Sequence, residues 1–240
     1  MKLRFLYSKG VPPGYGTAAD AVIFEEVSEN RSPPTLFIYS RREPTVSLGR
    51  FRDLNEDAHI EVIEKHGISV VRRISGGSSV FTDSGQIIYS LIVKDGFGNR
   101  DRSYRSICSS VASALEALGI ESGFKEPNDI LVNGKKISGS AQYRAKGFLI
   151  QHGTLIVGPN PLMDEVLKPV KDRSYGGTVS LTELLGYSIP EEDVVTVLRR
   201  AFETSTGMPS YDGAFTERES GCIESRQKDF RVSVSDLSDP

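Results

Sequence analysis

Cysteine is scarce in this chain. The 240 residues include two cysteines, Cys108 and Cys222. They lie far apart and in no metal-ligand spacing, which argues against a disulfide framework and against a cysteine zinc site. Such cysteine usage fits a reducing cytoplasm, and a cytoplasmic location is therefore expected.

Long apolar runs and an excess of positive charge are also missing. No run approaches the roughly 20 apolar residues that span a bilayer, and the N-terminus "MKLRFLYSKG" is too short and too polar for a signal peptide. A formal net charge of −3 argues against a general binder of nucleic acid or membrane surfaces. There is no internal repeat or low-complexity tract. What remains is a globular chain whose length fits one large domain.

Hydrophobic periodicity predicts several strands interspersed with helices. A hairpin turn is expected at Asn133-Gly134, and Ser188 and Glu191 stand in capping-box spacing before the last helix. From Met208 the chain is polar and aperiodic, which predicts a partly disordered tail over 208–240. This pattern favours an α/β (α+β) fold with one mixed central sheet and flanking helices. Helices are predicted over 17–27, with Thr17 as N-cap, and over 55–67, 103–119 and about 187–207.

A polar loop, "RRISGGSSVFTDSG" (72–85), lies between two apolar strands. Its adjacent glycines permit backbone conformations in which successive N–H groups line an anion-binding concavity. Of Arg72 and Arg73, only one can point inward from a strand. The alternative is an ordinary surface turn with solvated arginines. The loop matches neither a Walker A motif nor G-x-G-x-x-G.

A second polar segment, "PNDILVNGKKISGSAQ", predicts a hairpin that carries Asp129 and Lys136. Gly139 interrupts the second strand, as glycine often does where a ligand approaches. Lys135 should point to the opposite face from Lys136, and the alternative is an exposed hairpin with two solvated lysines. His152 lies in a strand-like run, where a satisfied core histidine is the alternative. The other two histidines lie on a predicted helix without a partner, so no metal is assigned to them.

Together, "RRISGGSSV", "PNDILV", "GKKISGSA" and "HGTLIV" resemble the lipoate–protein ligase A family of the biotin/lipoate ligase superfamily. "PTVSLGRFRD" and "TVSLTELLG" add to the resemblance, which covers roughly residues 15–205. It implies the α/β fold shared with class II aminoacyl-tRNA synthetases and a single catalytic domain over 1–240.

The resemblance implies an enzyme that activates lipoate with ATP and Mg²⁺ as lipoyl adenylate. The acyl group then passes to a lysine of a lipoyl carrier domain, such as 2-oxoacid dehydrogenase E2 or the glycine cleavage H protein. Lys136 is the implied catalytic residue and Asp129 the implied Mg²⁺ ligand. The implied ATP and adenylate contacts are Arg73, Ser79, Val80, Phe81, Thr82, Asn128, Asp129 and Lys136. The implied lipoate contacts are Arg73, Gly76, Gly77, Lys136, His152 and Gly153.

The sequence departs from the family pattern at two positions of the loop. Ser78 replaces a third glycine and Thr82 replaces a histidine, which leaves open whether lipoate or octanoate is the substrate. The accessory C-terminal domain of bacterial ligases is not expected here, and a separate small subunit is predicted to supply it.

Three alternatives follow. An octanoyl or lipoyl transferase of the superfamily would form a thioester on a cysteine. The two matching places hold Gly123 and the cysteine-free "GPNPLMDEVLKPV", and Cys108 is predicted to be core packing. Biotin ligation is disfavoured because a Gly-Arg-Gly-Arg-type loop is missing. A non-catalytic binder of lipoate or adenylate would fit Ser78 and Thr82.

Overall fold

A mixed eight-stranded sheet forms the centre of the fold. The computed structural model describes residues 1–169 and 176–234. The large sheet has the order β11-β1-β2-β6-β10-β9-β8-β7, and a three-stranded sheet has the order β4-β3-β5. In the large sheet β1 runs parallel to β2 and β11, and the other neighbours are antiparallel. The predicted mixed α/β fold is confirmed. The strands are β1 (Leu3–Val11), β2 (Thr35–Arg41), β3 (Thr45–Leu48), β4 (Ser69–Arg72), β5 (Val80–Thr82), β6 (Gln86–Lys94), β7 (Gly123–Lys125), β8 (Asp129–Val132), β9 (Lys135–Ala145), β10 (Phe148–Ile156) and β11 (Ser210–Asp212).

Helices cover both faces of the large sheet. Helices α4 and α7 share one apolar cluster with one face, and α1 and α8 share another with the opposite face. The small sheet has its own core with α2, α3 and α5. No helix in the described ranges is long and apolar enough to cross a membrane. The helices are α1 (Pro13–Ser28), α2 (Leu54–Asp57), α3 (Ile60–His66), α4 (Arg100–Ala117), α5 (Met163–Val166), α6 (Leu181–Leu185), α7 (Glu191–Thr206) and α8 (Glu217–Arg226).

Helix α1 begins earlier than its sequence pattern predicts. Its N-cap is Pro12 rather than Thr17, and Pro13 occupies the first turn, where a missing N–H costs nothing. Gly14 and Gly16 have no side chains, so this turn shows no apolar helical periodicity in the sequence. A Cβ on Gly16 would overlap the ring of Tyr39, so glycine lets α1 lie directly on the sheet.

Other local predictions had mixed outcomes. Asn133 and Gly134 both have positive φ, 50° and 74°, which confirms the two-residue turn. The capping box expected at Ser188 and Glu191 is wrong, because α7 starts after Pro190 without a side-chain cap. Ser180 and Glu183 form a capping box at α6 instead.

The C-terminal tail is ordered over most of its length, so the disorder prediction is wrong there. Ile223 of α8 is fully buried against the α1 face of the sheet. Beyond α8, the chain pairs with β4: Arg72 N–H donates to the Phe230 carbonyl at 2.8 Å, and Val232 N–H donates to Val70 at 2.9 Å. A single fully buried apolar side chain on α8, together with the backbone pairing to β4, therefore docks a segment that is polar in sequence. Residues 235–240 lie outside the described residues.

Candidate active site

A cavity of about 330 Å³ lies between the α1 face of the large sheet and the polar loop of the small sheet. Its floor follows one register row across five strands: Tyr39, Ile88, Thr154, Gly139 and Asp129. Neighbouring strands lie about 4.8 Å apart, so the row extends about 19 Å. The cavity therefore has two distinct ends, one at β2 and one at β8.

At the β8 end, Lys136 and Asp129 form an ion pair. The Nζ atom of Lys136 lies 2.7 Å from Oδ1 of Asp129. A bulge in β9 leaves Ile137 without a partner and places its side chain in the opposite core. Lys136 therefore lines the cavity, while Lys135 is exposed, as predicted. A Cβ on Gly139 would overlap the end of the Lys136 side chain, so glycine makes room for the pair.

Two neighbouring segments fix this end of the cavity. The Asn128 side chain donates to the Ser140 carbonyl, and the Asn128 carbonyl accepts from Ser140 N–H at 3.0 Å. The backbone of Lys136 bonds to the segment around Thr178, with its N–H 2.9 Å from the Gly177 oxygen. Asn128 thus positions Asp129 from the loop side.

The side chains of both arginines of the polar loop donate hydrogen bonds to backbone carbonyl oxygens. Arg73 is buried and donates to Ser47, Gly76 and Ser78 carbonyls at 2.7–2.8 Å. Burial lowers its pKa to about 10. Arg72 donates to carbonyls of the 49–52 segment. The alternative of two solvated arginines is therefore wrong.

The anion-binding donors expected at Ser79 are engaged within the chain. Asp57 accepts from the Ser79 backbone N–H at 3.1 Å and from the Ser79 hydroxyl. Arg52 donates to both oxygens of Asp57 at 3.0 Å. Any ligand anion at Ser79 must replace this carboxylate. The sequence offered no signal for Asp57 beyond its place in a short acidic helix.

Of the implied ATP, adenylate and lipoate contacts, Gly76 is the one that does not line the main cavity. It borders a second cavity, of about 680 Å³, which Gly77, Ser78 and Ser79 also line. The others that line the main cavity are Arg73, Gly77, Ser79, Val80, Phe81, Thr82, Asn128, Asp129, Lys136, His152 and Gly153.

His152 is buried in a hydrogen-bonded chain on the cavity wall. Its Nδ1 lies 2.8 Å from Oδ2 of Asp20, and its Nε2 lies 2.6 Å from the Ser75 hydroxyl. The Ser90 hydroxyl donates to the other Asp20 oxygen at 2.6 Å. Sequence reasoning missed Asp20, whose one signal is a charge within the otherwise apolar stretch "AADAVIF" of α1.

The model of the lipoyl protein ligase A/B catalytic domain matches residues 12–203. The chain belongs to this family. It is 26% identical over 260 residues to octanoyltransferase LipM of Geobacillus kaustophilus, a match that covers 92% of each chain. It is also 36% identical over 129 residues to lipoate-protein ligase LplJ of Bacillus subtilis, covering 54% of this chain and 38% of LplJ.

Two solved structures of the family share the fold. Lipoate-protein ligase A bound with ATP superimposes with a TM-score of 0.84 at 22% identity, covering 95% of both chains. A bi-partite lipoate protein ligase from Thermoplasma acidophilum, solved in a study of that ligase and its E2 lipoyl domain, gives 0.82 at 22% identity, covering 95% of this chain and 92% of that one.

Neither cysteine of this family member borders the cavity. Cys108 is 1% exposed, and its thiol lies 3.5 Å from both the Ser140 hydroxyl and the Gln151 amide. Burial raises its pKa, which disfavours the thiolate. Cys222 lies in α8. The prediction that Cys108 is core packing is confirmed.

The described residues contain no group of three or more side chains suited to hold a metal ion. The cavity does offer the Asp129 carboxylate beside Lys136. A Mg²⁺ ion carried by nucleotide phosphates needs only one or two protein carboxylates. Asp129 therefore fits a substrate-borne Mg²⁺ but not a resident metal centre.

Proposed function

We propose that the chain activates lipoate or octanoate with ATP as an acyl-adenylate and transfers the acyl group to a lysine of a lipoyl carrier domain. The observation that carries this proposal is the Lys136–Asp129 pair at one end of a cavity that neither cysteine borders. Activation by adenylation needs positive charge at the reacting oxygens and no thiol.

Adenylation brings two anions together. A carboxylate oxygen of the acid attacks the α-phosphorus, and the bond to the β-phosphate oxygen breaks to release pyrophosphate. The Lys136 ammonium would neutralise the negative charge that builds up on the carboxylate and α-phosphate oxygens during this attack. Asp129 would hold a Mg²⁺ ion bound to the phosphates, which adds further positive charge to that end.

The second half-reaction needs a neutral amine. The amine of the carrier lysine attacks the acyl carbonyl, loses a proton, and displaces AMP. A lipoyl domain is the expected partner, because the structurally similar Thermoplasma ligase was solved in a study of that ligase and its E2 lipoyl domain. That ligase is bi-partite, which supports testing for a second polypeptide here.

A second candidate is octanoyl transfer from a thioester donor without ATP. The match to LipM over 92% of both chains favours this activity. The match to the ligase LplJ covers only 54% of this chain, so the sequence relatives support octanoyl transfer more strongly than ligation. A cysteine route, however, needs a thiolate. Cys108 would have to leave the core and ionise, against a pKa raised by burial.

One pair of assays separates the two candidates. Ligation requires acid-dependent exchange of pyrophosphate into ATP, and the double variant Cys108→Ser/Cys222→Ser should retain acylation of a lipoyl domain. Transfer requires acylation from an octanoyl thioester without ATP and an acyl thioester on the protein. Exchange without acylation would indicate that a second polypeptide is needed. Absence of exchange, together with a trapped thioester, would refute the ligase proposal.

A further inference from the structure

Three arginines are buried in the part of the chain that the structure describes, and two of them have full sets of partners. Arg4 donates two hydrogen bonds to the carboxylate of Glu219, at 2.9 and 2.7 Å, and a third to Thr35. Arg73 donates to three carbonyls and to the Ser75 hydroxyl. Arg41, which is 3% exposed, is the exception.

The guanidinium of Arg41 lines the cavity with part of its hydrogen-bonding capacity unused. One nitrogen donates to the Pro13 carbonyl and another to the Thr17 hydroxyl at 3.3 Å. Its Nε–H is buried and has no partner. Among the described residues, no carboxylate oxygen lies within 4.0 Å of it. A buried charge without a counter-ion is unfavourable, so an acceptor from a bound molecule would stabilise it.

Arg41 marks the end of the cavity opposite Lys136. It lies two residues beyond Tyr39 on β2, and therefore on the same face of the sheet. Tyr39 and Asp129 terminate the floor row, with three strands between β2 and β8. A ligand activated at Lys136 would thus present its far end to Arg41.

The charges around Arg41 favour an anion over a neutral group. Asp20 is the negative side chain on this wall, and both its oxygens already accept hydrogen bonds from Ser90 and His152. The guanidinium of Arg73 is buried along the same cavity and adds a second positive charge. Two guanidinium groups therefore face a single carboxylate on this wall. The methyl end of octanoate would leave the Arg41 Nε–H unpaired.

We propose that Arg41 is a specificity-determining residue that pairs with a carboxylate at the far end of a medium-chain acyl substrate. This inference rests on the proposed function, in which the reacting carboxylate of the acid lies at Lys136 and its far end lies towards Arg41. The preferred substrate is then a medium-chain dicarboxylic acid, activated at one end and held by Arg41 at the other, with octanoate and lipoate as weaker ligands.

Calorimetric titration of the full chain with octanedioate and octanoate tests this. The wild-type chain should bind octanedioate at least about tenfold more tightly, because a hydrogen bond to a charged group discriminates by roughly that factor. Arg41→Met should remove the preference, and Arg41→Lys should keep part of it. Arg42→Met, at the exposed next position, should leave it unchanged. Circular dichroism melting of each variant establishes that it is folded.

The outcomes separate this inference from the proposed function. If octanoate and lipoate bind and octanedioate binds no better, the role of Arg41 is refuted and the proposed function stands. If 8-hydroxyoctanoate binds more tightly than octanedioate, the anionic specificity is wrong. If none of these acids binds to the wild-type chain, both proposals fail.

Discussion

His152 and Asp20 form a buried pair in which Nδ1 of the ring lies 2.8 Å from Oδ2 of the carboxylate. Because a carboxylate only accepts, Nδ1 carries the hydrogen of this contact, while Nε2 lies 2.6 Å from the Ser75 hydroxyl. The pair thereby joins α1 to β10 and β10 to the polar loop. One wall of the cavity depends on this chain of contacts.

Replacing Asp20 with alanine should lower the free energy of unfolding by about 2 kcal/mol, because a hydrogen bond to a charged group is lost and the ring N–H stays buried without a partner. Urea denaturation followed by circular dichroism measures this. Asp229→Ala, at an exposed position, should change stability by no more than about 0.5 kcal/mol. Equal effects of the two variants would contradict the role of the pair.

The C-terminal segment should make stability sensitive to acid through Glu219. Burial by itself raises the pKa of this carboxyl, but hydrogen bonds from Arg4 and the Thr216 backbone together outweigh it and hold the pKa below its usual range. A depressed folded-state pKa stabilises the protein above the unfolded value, and this contribution is lost as pH falls below about 4.3.

Glu219→Gln should therefore be less stable than the wild type near neutral pH, and the difference should shrink as the pH falls below about 4.3, the usual pKa of a glutamate carboxyl. Urea denaturation at several pH values provides the measurement. Glu217→Gln, two residues earlier and exposed, serves as the matched control. A difference that stays constant with pH would show that Glu219 does not titrate in this way.

The hairpin at the β8 end could be predicted because its determinants are local. Asn133-Gly134 fixes the turn, and strand alternation then separates Lys135 from Lys136. The bulge at Ile137 did not alter this outcome, since it falls after both lysines. The resemblance to the family rested in part on the two segments of this hairpin, "PNDILV" and "GKKISGSA".

The rest of the site depends on contacts that no local pattern encodes. His152 and Asp20 are 132 residues apart in the chain, and Asp57 and Ser79 are 22 apart. A lone polar residue within an apolar stretch does not reveal its partner. The same holds for α8, whose docking on α1 depends on Ile223 and on a pair between Arg4 and Glu219.

Lys136 should be needed for activation, whereas Lys135 should not. Lys136→Ala removes the positive charge beside Asp129 and should reduce acid-dependent exchange of pyrophosphate into ATP by about 100-fold or more. Lys135→Ala, whose side chain is exposed on the opposite face, should remain within about twofold of the wild type. Circular dichroism melting would establish that both variants are folded. Similar losses in both, or in neither, would refute the assignment.

Gly139→Ala tests the space around that lysine without removing its charge. The added Cβ would overlap Cε and Nζ of Lys136 and lie 3.0 Å from Oδ1 of Asp129. The end of a lysine side chain moves at little cost, so stability should fall by no more than about 1 kcal/mol, but the ion pair should break. Exchange activity should then fall about tenfold or more, because displacement of a catalytic group by about 1 Å is costly.

The matched control is Gly123→Ala on β7, where a new Cβ would meet no atom within 4 Å. It should leave both stability and activity close to wild type. If Gly139→Ala retained full exchange activity, the contact between Lys136 and Asp129 would not be the arrangement that activates the acid. If it instead unfolded the protein, glycine would be needed at this position for the stability of the sheet and not to make space for Lys136. A selective loss of activity in a folded variant is the expected result, because the Lys136 side chain can move away from the new Cβ but then no longer pairs with Asp129.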